Sequence, residues 1–352
     1  MKLLKYKFKW YIGVFVAILL LYSALCWAKS LKYAVTEGIG SNFDSFWSSA
    51  MYKKEDVSGV NQILTYLTTG QASATQVKSG KEGWLFFNTA RTINDYNGAD
   101  VYSDKELSQM LSAALDVQSE LDRREINSVI IVAPNKSNVY FDQVLDCFSY
   151  SETSRTEKMV EHLAAGGVNI ISLKDALLEG KSSWQIYYSY DTHWNQLGAY
   201  IGVKEALATF GIEIEPLAER TINSMPLKEC YHYNAIDDLA NIAGLEKILD
   251  DDVEYIIDGT TSIDWNTLLV EQDEGLISYF ENSSAQLDST VFLVGDSYRT
   301  AMLPELCEVF SNVYVVHRDG FKPSQIDEFS PDYVIFEYLE RYSSQLADVS
   351  LN

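Results

Sequence analysis

The chain has 352 residues, 47% of them hydrophobic, and a formal net charge of −23. That length and apolar share suffice for one large core or for one domain carrying an insertion. A surface this acidic repels phosphate backbones and argues against a nucleic-acid partner; it also disfavours a strongly anionic polymer unless a local basic groove intervenes.

All six charged residues of 1–32 are lysines, so the remainder holds 21 basic and 50 acidic residues and carries −29. Residues 10–28, WYIGVFVAILLLYSALCWA, are uncharged and mostly apolar over 19 positions. At about 1.5 Å per residue this stretch spans a bilayer core. Four lysines precede it and two follow, which predicts a cytoplasmic N-terminus, a single-pass anchor and an extracellular or periplasmic remainder. A cleaved signal peptide with Cys26-Trp27-Ala28 as its cleavage site is the alternative. An extracellular location permits one disulfide, and Cys147–Cys230 is the pair expected. Cys307 reads as a buried apolar residue. With no CxxC pair or His/Cys cluster, no metal site is expected.

Residues 33–77 read as a helical or irregular stalk. From 78 the pattern alternates. GKEGWLFF (80–87) is a turn and strand, and 104–123 places Leu107, Met110, Leu111, Ala114, Leu115, Val117 and Leu121 on one helical face. NSVIIVAPNK (127–136) is apolar without alternation, as a strand buried on both faces should be. A helix over 153–165 precedes the strand GVNIISL (167–173). DTHWNQLGAYIGVKEAL (191–207) starts as a loop and becomes a helix. STVFLVGDS (289–297) is a third buried strand, followed by the helix TAMLPELCEVF with Pro304 in its first turn. SNVYVVHRDG (311–320) and PDYVIFEYLER (331–341) are further strands. The alternation predicts an α/β fold with a doubly wound parallel sheet, whose ligands bind beyond the C-terminal strand ends. Residues 213–288, acidic and aromatic, break the pattern and read as an insertion of mixed structure.

Two motifs carry chemistry. VFLVGDS delivers Ser297 from a tight Gly-Asp corner at a strand's end, and YYSYDTHW sets Asp191 two residues before His193. Serine, histidine and carboxylate are the nucleophile, base and orienter of acyl transfer. Ser297 as an ordinary helix N-cap is the bland alternative. His317, at another strand end, is the rival base; His162 and His232 read as surface residues. Asp296 is expected to order the serine turn through side-chain to backbone bonds.

GDS after an apolar strand resembles the first block of the SGNH hydrolases, and DTHWNQLGAY resembles their Asp/His block, with Gly198 letting the next helix pack closely. The blocks stand in rotated order: read from Val291 round to Leu207, the strands follow an ordinary SGNH domain. Permuted order, Asp-x-His-Trp, an upstream GKEGWLF, RTINDYNG (91–98) and a terminal Glu-Arg together resemble the alginate O-acetyltransferase-like proteins and their Asp-His-His-Trp relatives. Thr192 replaces the first histidine of that motif. The resemblance covers about 78–345. It implies a circularly permuted SGNH-like domain over 78–352, inserted at about 213–288, that acetylates a polysaccharide. It also implies a multi-pass membrane O-acyltransferase partner as acyl donor, and no cofactor.

On this resemblance Arg341 stands where SGNH members carry an oxyanion-hole asparagine. It would stabilise an oxyanion or grip a sugar; a salt bridge to Glu337 or Glu340 is the bland alternative. Asn135 and Lys136, after a central strand, are expected to face the cleft, and Trp194 and Tyr298 to stack on sugar rings. The expectation is thus an O-acetyltransferase with Ser297, His193 and Asp191. A carbohydrate esterase using the same residues and a non-catalytic polysaccharide-binding protein are the other two readings.

Overall fold

The computed structural model describes residues 54–145, 149–229, 237–258, 269–273 and 277–351, and part of 13–28, which is helical where described. Among the described residues no helix is long and apolar enough to cross a membrane. Eight of the 19 residues of the expected anchor, and both Cys147 and Cys230, lie outside them. The helix α1 (Lys54–Thr69) falls on the expected stalk.

From Val77 onward the chain builds one seven-stranded sheet with helices on both faces. A small hairpin of β1 (Val77–Ser79) and β2 (Leu85–Phe87) opens it, followed by α2 (Ala90–Asn97). The helix α3 (Asp104–Arg123) starts where Ser103 and Glu106 close a reciprocal capping box and buries Met110, Ala114, Val117 and Leu121 at helical spacing. Then come β3 (Asn127–Ala133), the single turn α4 (Lys136–Val139), α5 (Arg155–Ala165), β4 (Ile170–Ser172), α6 (Lys174–Lys181) and α7 (Gln196–Thr209). The insertion supplies β5 (Ile222–Pro226), α8 (Asp238–Ala243), β6 (Val253–Ile257), β7 (Leu269–Asp273) and β8 (Ile277–Glu281). The chain ends with β9 (Leu287–Gly295), α9 (Leu303–Val309), β10 (Phe310–His317), α10 (Ser324–Phe329) and β11 (Tyr333–Leu339).

The sheet order is β4-β3-β11-β9-β10-β8-β7. The first five strands are parallel, and β8 and β7 join antiparallel at the β10 edge. The sheet is therefore mixed rather than the purely parallel one expected. The correction comes from the insertion, two of whose strands extend the sheet. Counted from β9 round through β4, the parallel strands lie in the order 2-1-3-4-5, a doubly wound arrangement. Residues alternate along β9 between two cores. Val291 and Leu293 pack with α6, α7 and α9, whereas Phe292 and Val294 pack with α3, α5 and α10. The segment after β9 differs from the expected continuous helix: a 3-10 turn over Ser297–Met302 comes first, and α9 starts only at Leu303, with Pro304 in its opening turn.

Candidate active site

Three strand ends meet at the C-terminal edge of the sheet. From β9, Gly295 and Asp296 deliver Ser297. A Cβ on Gly295 would lie 2.6 Å from Glu337 Oε2 and 3.0 Å from Glu337 Cβ, so only glycine fits this close pass over β11. Asp296 caps the following 3-10 turn: its Oδ1 accepts from Tyr298 N–H at 3.0 Å and its Oδ2 from Leu339 N–H at 3.0 Å. Its own N–H donates to Glu337 Oε2 at 2.9 Å. Asp296 thus pins the serine turn to β11 by its side chain, and Ser297 is left exposed. As first residue of the turn, Ser297 has an N–H with no intrahelical acceptor.

The loop before α7 brings the histidine. His193 Nε2 lies 2.7 Å from Ser297 Oγ, and His193 Nδ1 lies 2.6 Å from Asp191 Oδ1. Asp191 Oδ1 also accepts from His193 N–H at 2.7 Å, and its Oδ2 from Asp238 N–H at 2.9 Å. Burial opposes the charge on Asp191, but the facing imidazolium and these hydrogen bonds outweigh it and hold its carboxyl below the usual range. Burial likewise opposes protonation of His193, but Asp191 raises it above the ordinary 6.5. The rival base, His317, ends β10 and bonds instead to the turn that follows it, accepting from Asp319 N–H at 3.3 Å.

Arg341 follows β11. It donates from Nη1 to Asn135 Oδ1 at 3.2 Å and lies 5.3 Å from the rings of Phe87 and Tyr342. It is 8% exposed, and its buried Nε has no hydrogen-bond partner. Its partners are Asn135 and Tyr342 rather than Glu337 or Glu340. Its charge reaches His193, opposing protonation there.

The other four expected contact residues divide: Trp194 and Tyr298 serve the scaffold, whereas Asn135 and Lys136, themselves hydrogen-bonded, line a small pocket with Thr192 and Arg341. Trp194 and Tyr298, 1% and 0% exposed, cannot stack on a sugar. Trp194 Nε1 donates to Tyr298 O at 3.0 Å, and the Tyr298 hydroxyl donates to Thr192 O, so the two rings lock the histidine loop to the serine turn. Asn135 and Lys136 are also buried. Asn135 joins a network with Asp95, Glu340 and Arg341. Lys136 Nζ donates to the carbonyls of Tyr188, Ser189 and Asp191 at 3.0, 3.0 and 2.7 Å. Burial pulls its pKa down to about 8.

Sequence reasoning missed the matching set of acceptors, which the insertion provides. Asp238 accepts from Thr192 N–H at 2.7 Å and from its hydroxyl at 2.6 Å. Asp252 takes the N–H groups of Ser189 and Tyr190 at 2.7 and 2.6 Å. Glu254 takes Gln196 N–H at 3.1 Å and the Tyr188 hydroxyl. In the irregular loop 188–196 one lysine therefore holds three of the carbonyls, and three carboxylates of the insertion hold the N–H groups of Ser189, Tyr190, Thr192 and Gln196. Asp191, His193 and Asp238 each offer a ligand atom within 4.8 Å of the others. Those atoms are already committed to one another and to Thr192, so a cation there would have to displace the His193–Asp191 bond.

Residues 77–326 match the family model of the SGNH hydrolase-like domain of acetyltransferase AlgX. Over 121 residues the chain is 28% identical to the probable alginate O-acetylase AlgJ of Pseudomonas aeruginosa; that match covers 34% of this chain and 29% of the relative's length. Bacillus cereus PatB1, solved with a sulfonyl adduct, superposes with a TM-score of 0.54 at 15% identity over 78% of this chain and 97% of that one. A DHHW family protein from Eubacterium siraeum does so with a TM-score of 0.51 at 15% identity over 77% and 98%. At such identities these two likenesses concern the fold.

Proposed function

The chain belongs to the family of SGNH hydrolase-like, AlgX-type acetyltransferase domains, and from that premise we propose that it is an O-acetyltransferase acting on a polysaccharide outside the membrane, with Ser297 as nucleophile. The observation that carries this reading is the continuous hydrogen-bonded line from Ser297 Oγ through His193 to Asp191, 2.7 and 2.6 Å. Nδ1 keeps its proton toward Asp191, which leaves Nε2 free to accept from the serine hydroxyl.

In the first half-reaction Ser297 Oγ attacks the acetyl carbonyl of the donor while its proton passes to His193 Nε2. The oxyanion is held by Ser297 N–H and the Arg341 guanidinium. Collapse expels the donor's leaving group, which takes the proton from His193, and leaves acetyl-Ser297. In the second half a sugar hydroxyl gives its proton to Nε2 and attacks the ester. The serine oxygen leaves and recovers that proton. The acetyl donor comes from a multi-pass membrane O-acyltransferase, and residues 10–28 anchor the domain beside it.

Ser297 is exposed, and that favours one second reading, in which water replaces the sugar and the chain is a carbohydrate esterase. Intact-mass analysis after incubation with an activated acetyl ester should show one acetyl group on the wild-type chain and none on Ser297→Ala. An adduct of equal yield on Ser297→Ala would sink both enzymatic readings. Measuring acetyl transfer to oligosaccharide against release to water then separates the two.

A further inference from the structure

The strand order 2-1-3-4-5 reverses direction between β9 and β11. In doubly wound sheets ligands sit beyond the strand ends at such a switch point. An open cavity of about 350 Å³ lies there, lined by Val294 of β9 and by Phe336 and Tyr338 of β11, with Arg318, Phe321 and Gln345 around them. That volume falls in the range of about 300–1,000 Å³ usual for small-molecule sites. Val294 and Phe336 belong to the core facing α3, α5 and α10, so the cavity occupies the face of the sheet opposite the histidine loop.

Two contacts tie the cavity to the reacting centre. Arg318 Nη1 reaches Asp296 Oδ2 at 3.5 Å, beside the nucleophile. The Tyr342 ring lies 4.3 Å from the Arg318 guanidinium and 5.3 Å from that of Arg341. Asp296 is held without Arg318, by Tyr298 N–H and Leu339 N–H. The long bond to Asp296 is the only hydrogen bond of the Arg318 side chain among the described residues; its charge also faces Asp319 Oδ1, 3.6 Å from Nε, which leaves donors unbonded but the charge paired. Gln345 Oε1 and Arg318 Nε are both buried without a hydrogen-bond partner. Half-buried Phe321 offers a ring face, with Phe336 packed edge-on behind it at 5.9 Å.

The chemistry of this lining selects its ligand. A spare acceptor on Gln345 and spare donors on Arg318 together suit hydroxyls, which both donate and accept and which every pyranose carries, so charge decides between a neutral unit and a uronate. Asp319 and Asp348 also line the cavity. They outnumber the single arginine, in a chain of net charge −23, and repel an anion. The apolar face of a sugar ring suits Phe321. We propose that this crevice is the acceptor subsite and takes an uncharged pyranose unit, not a uronate; this rests on the transferase function proposed above.

Full-length Ser297→Ala protein in detergent is to be titrated calorimetrically with tetrasaccharides of β-1,4-glucose, of β-1,4-N-acetylglucosamine and of alginate. At least one neutral oligomer should bind tenfold or more tighter than the uronate. Adding Gln345→Ala or Phe321→Ala should weaken it at least tenfold, with an unchanged melting midpoint for Gln345→Ala reporting an intact fold. Absence of binding, a preference for alginate, or equal binding by a folded Gln345→Ala variant overturns the subsite. The mass of Ser297 in the wild-type chain is read separately. An acetyl adduct without a crevice effect refutes the subsite alone, and a crevice effect without an adduct refutes the acyl-serine mechanism alone.

Discussion

At the scale of single residues, the consequence of the Asp191–His193 pair is a titration. On the proposed mechanism the base acts with Nε2 unprotonated, and Asp191 holds the imidazole pKa above 6.5. Esterase or transferase activity should therefore rise with pH through an inflection above 6.5. In Asp191→Asn the raising charge is gone, so the inflection should move to lower pH. The rate should also fall on the order of 10⁴-fold, because the amide no longer fixes the tautomer. An unshifted inflection would remove His193 as the titrating base. These residues were legible because each motif is local: a glycine-aspartate corner after an apolar run, and an aspartate two residues before a histidine. Trp194 and Tyr298 misled because an aromatic near a reactive group looks the same in sequence whether its ring faces solvent or the core. Glu337 went unseen for a related reason. A lone acid in an apolar strand gives no hint that burial and Asp296 push its carboxyl pKa far up while it braces the serine turn.

Between residue and domain, the unit that matters is the irregular loop 188–196. A single bridge between Tyr187 and Trp194 and a few backbone bonds satisfy only part of its backbone, and side chains from elsewhere satisfy much of the rest. Lys136→Met should leave the carbonyls of Tyr188 and Asp191 without their donor, Ser189 O keeping the Leu85 N–H, and cost on the order of 2–4 kcal/mol, read by denaturant unfolding. Activity should fall further than that loss of fold explains, because Asp191 O is one of these two carbonyls. A variant of unchanged stability and rate would show that the loop stands without the lysine. The regular elements around the loop could be read from periodicity and caps, as with Ser103 and Glu106 opening α3. The role of the insertion could not. Asp238, Asp252 and Glu254 sit 46–66 positions from the residues they hold, and a stretch of acids carries no periodic signal of what it faces. The same blindness hid β7 and β8 as sheet extensions.

For the molecule as a whole, several carboxyls carry raised pKa values, chiefly through burial. Glu254 and Glu340 rise to about 7, and Asp237 and Glu305 to about 8. A raised folded-state pKa means that the folded chain binds protons more tightly than the unfolded one. Its contribution is fully present below the unfolded value, near 4, and is lost as pH climbs through 7 to 8. The melting midpoint should fall between pH 5.5 and 8.5; a midpoint that rises over this interval would contradict these assignments. Self-repulsion at a net charge of −23 acts in the same direction.

The rotated strand order also sets a sequence of events in time. The chain emerges from its N-terminus, so β3 and β4 are made early, while the strands that complete the centre of the sheet, β9 and β11, come last. Until then β3 presents an open edge, a template for mispairing. His193 waits 104 residues for its serine. On the proposed mechanism, a nascent chain is thus without its nucleophile until β9 is complete. Its nucleophile arrives with the strand that closes the sheet, so reactivity and completion of the fold coincide.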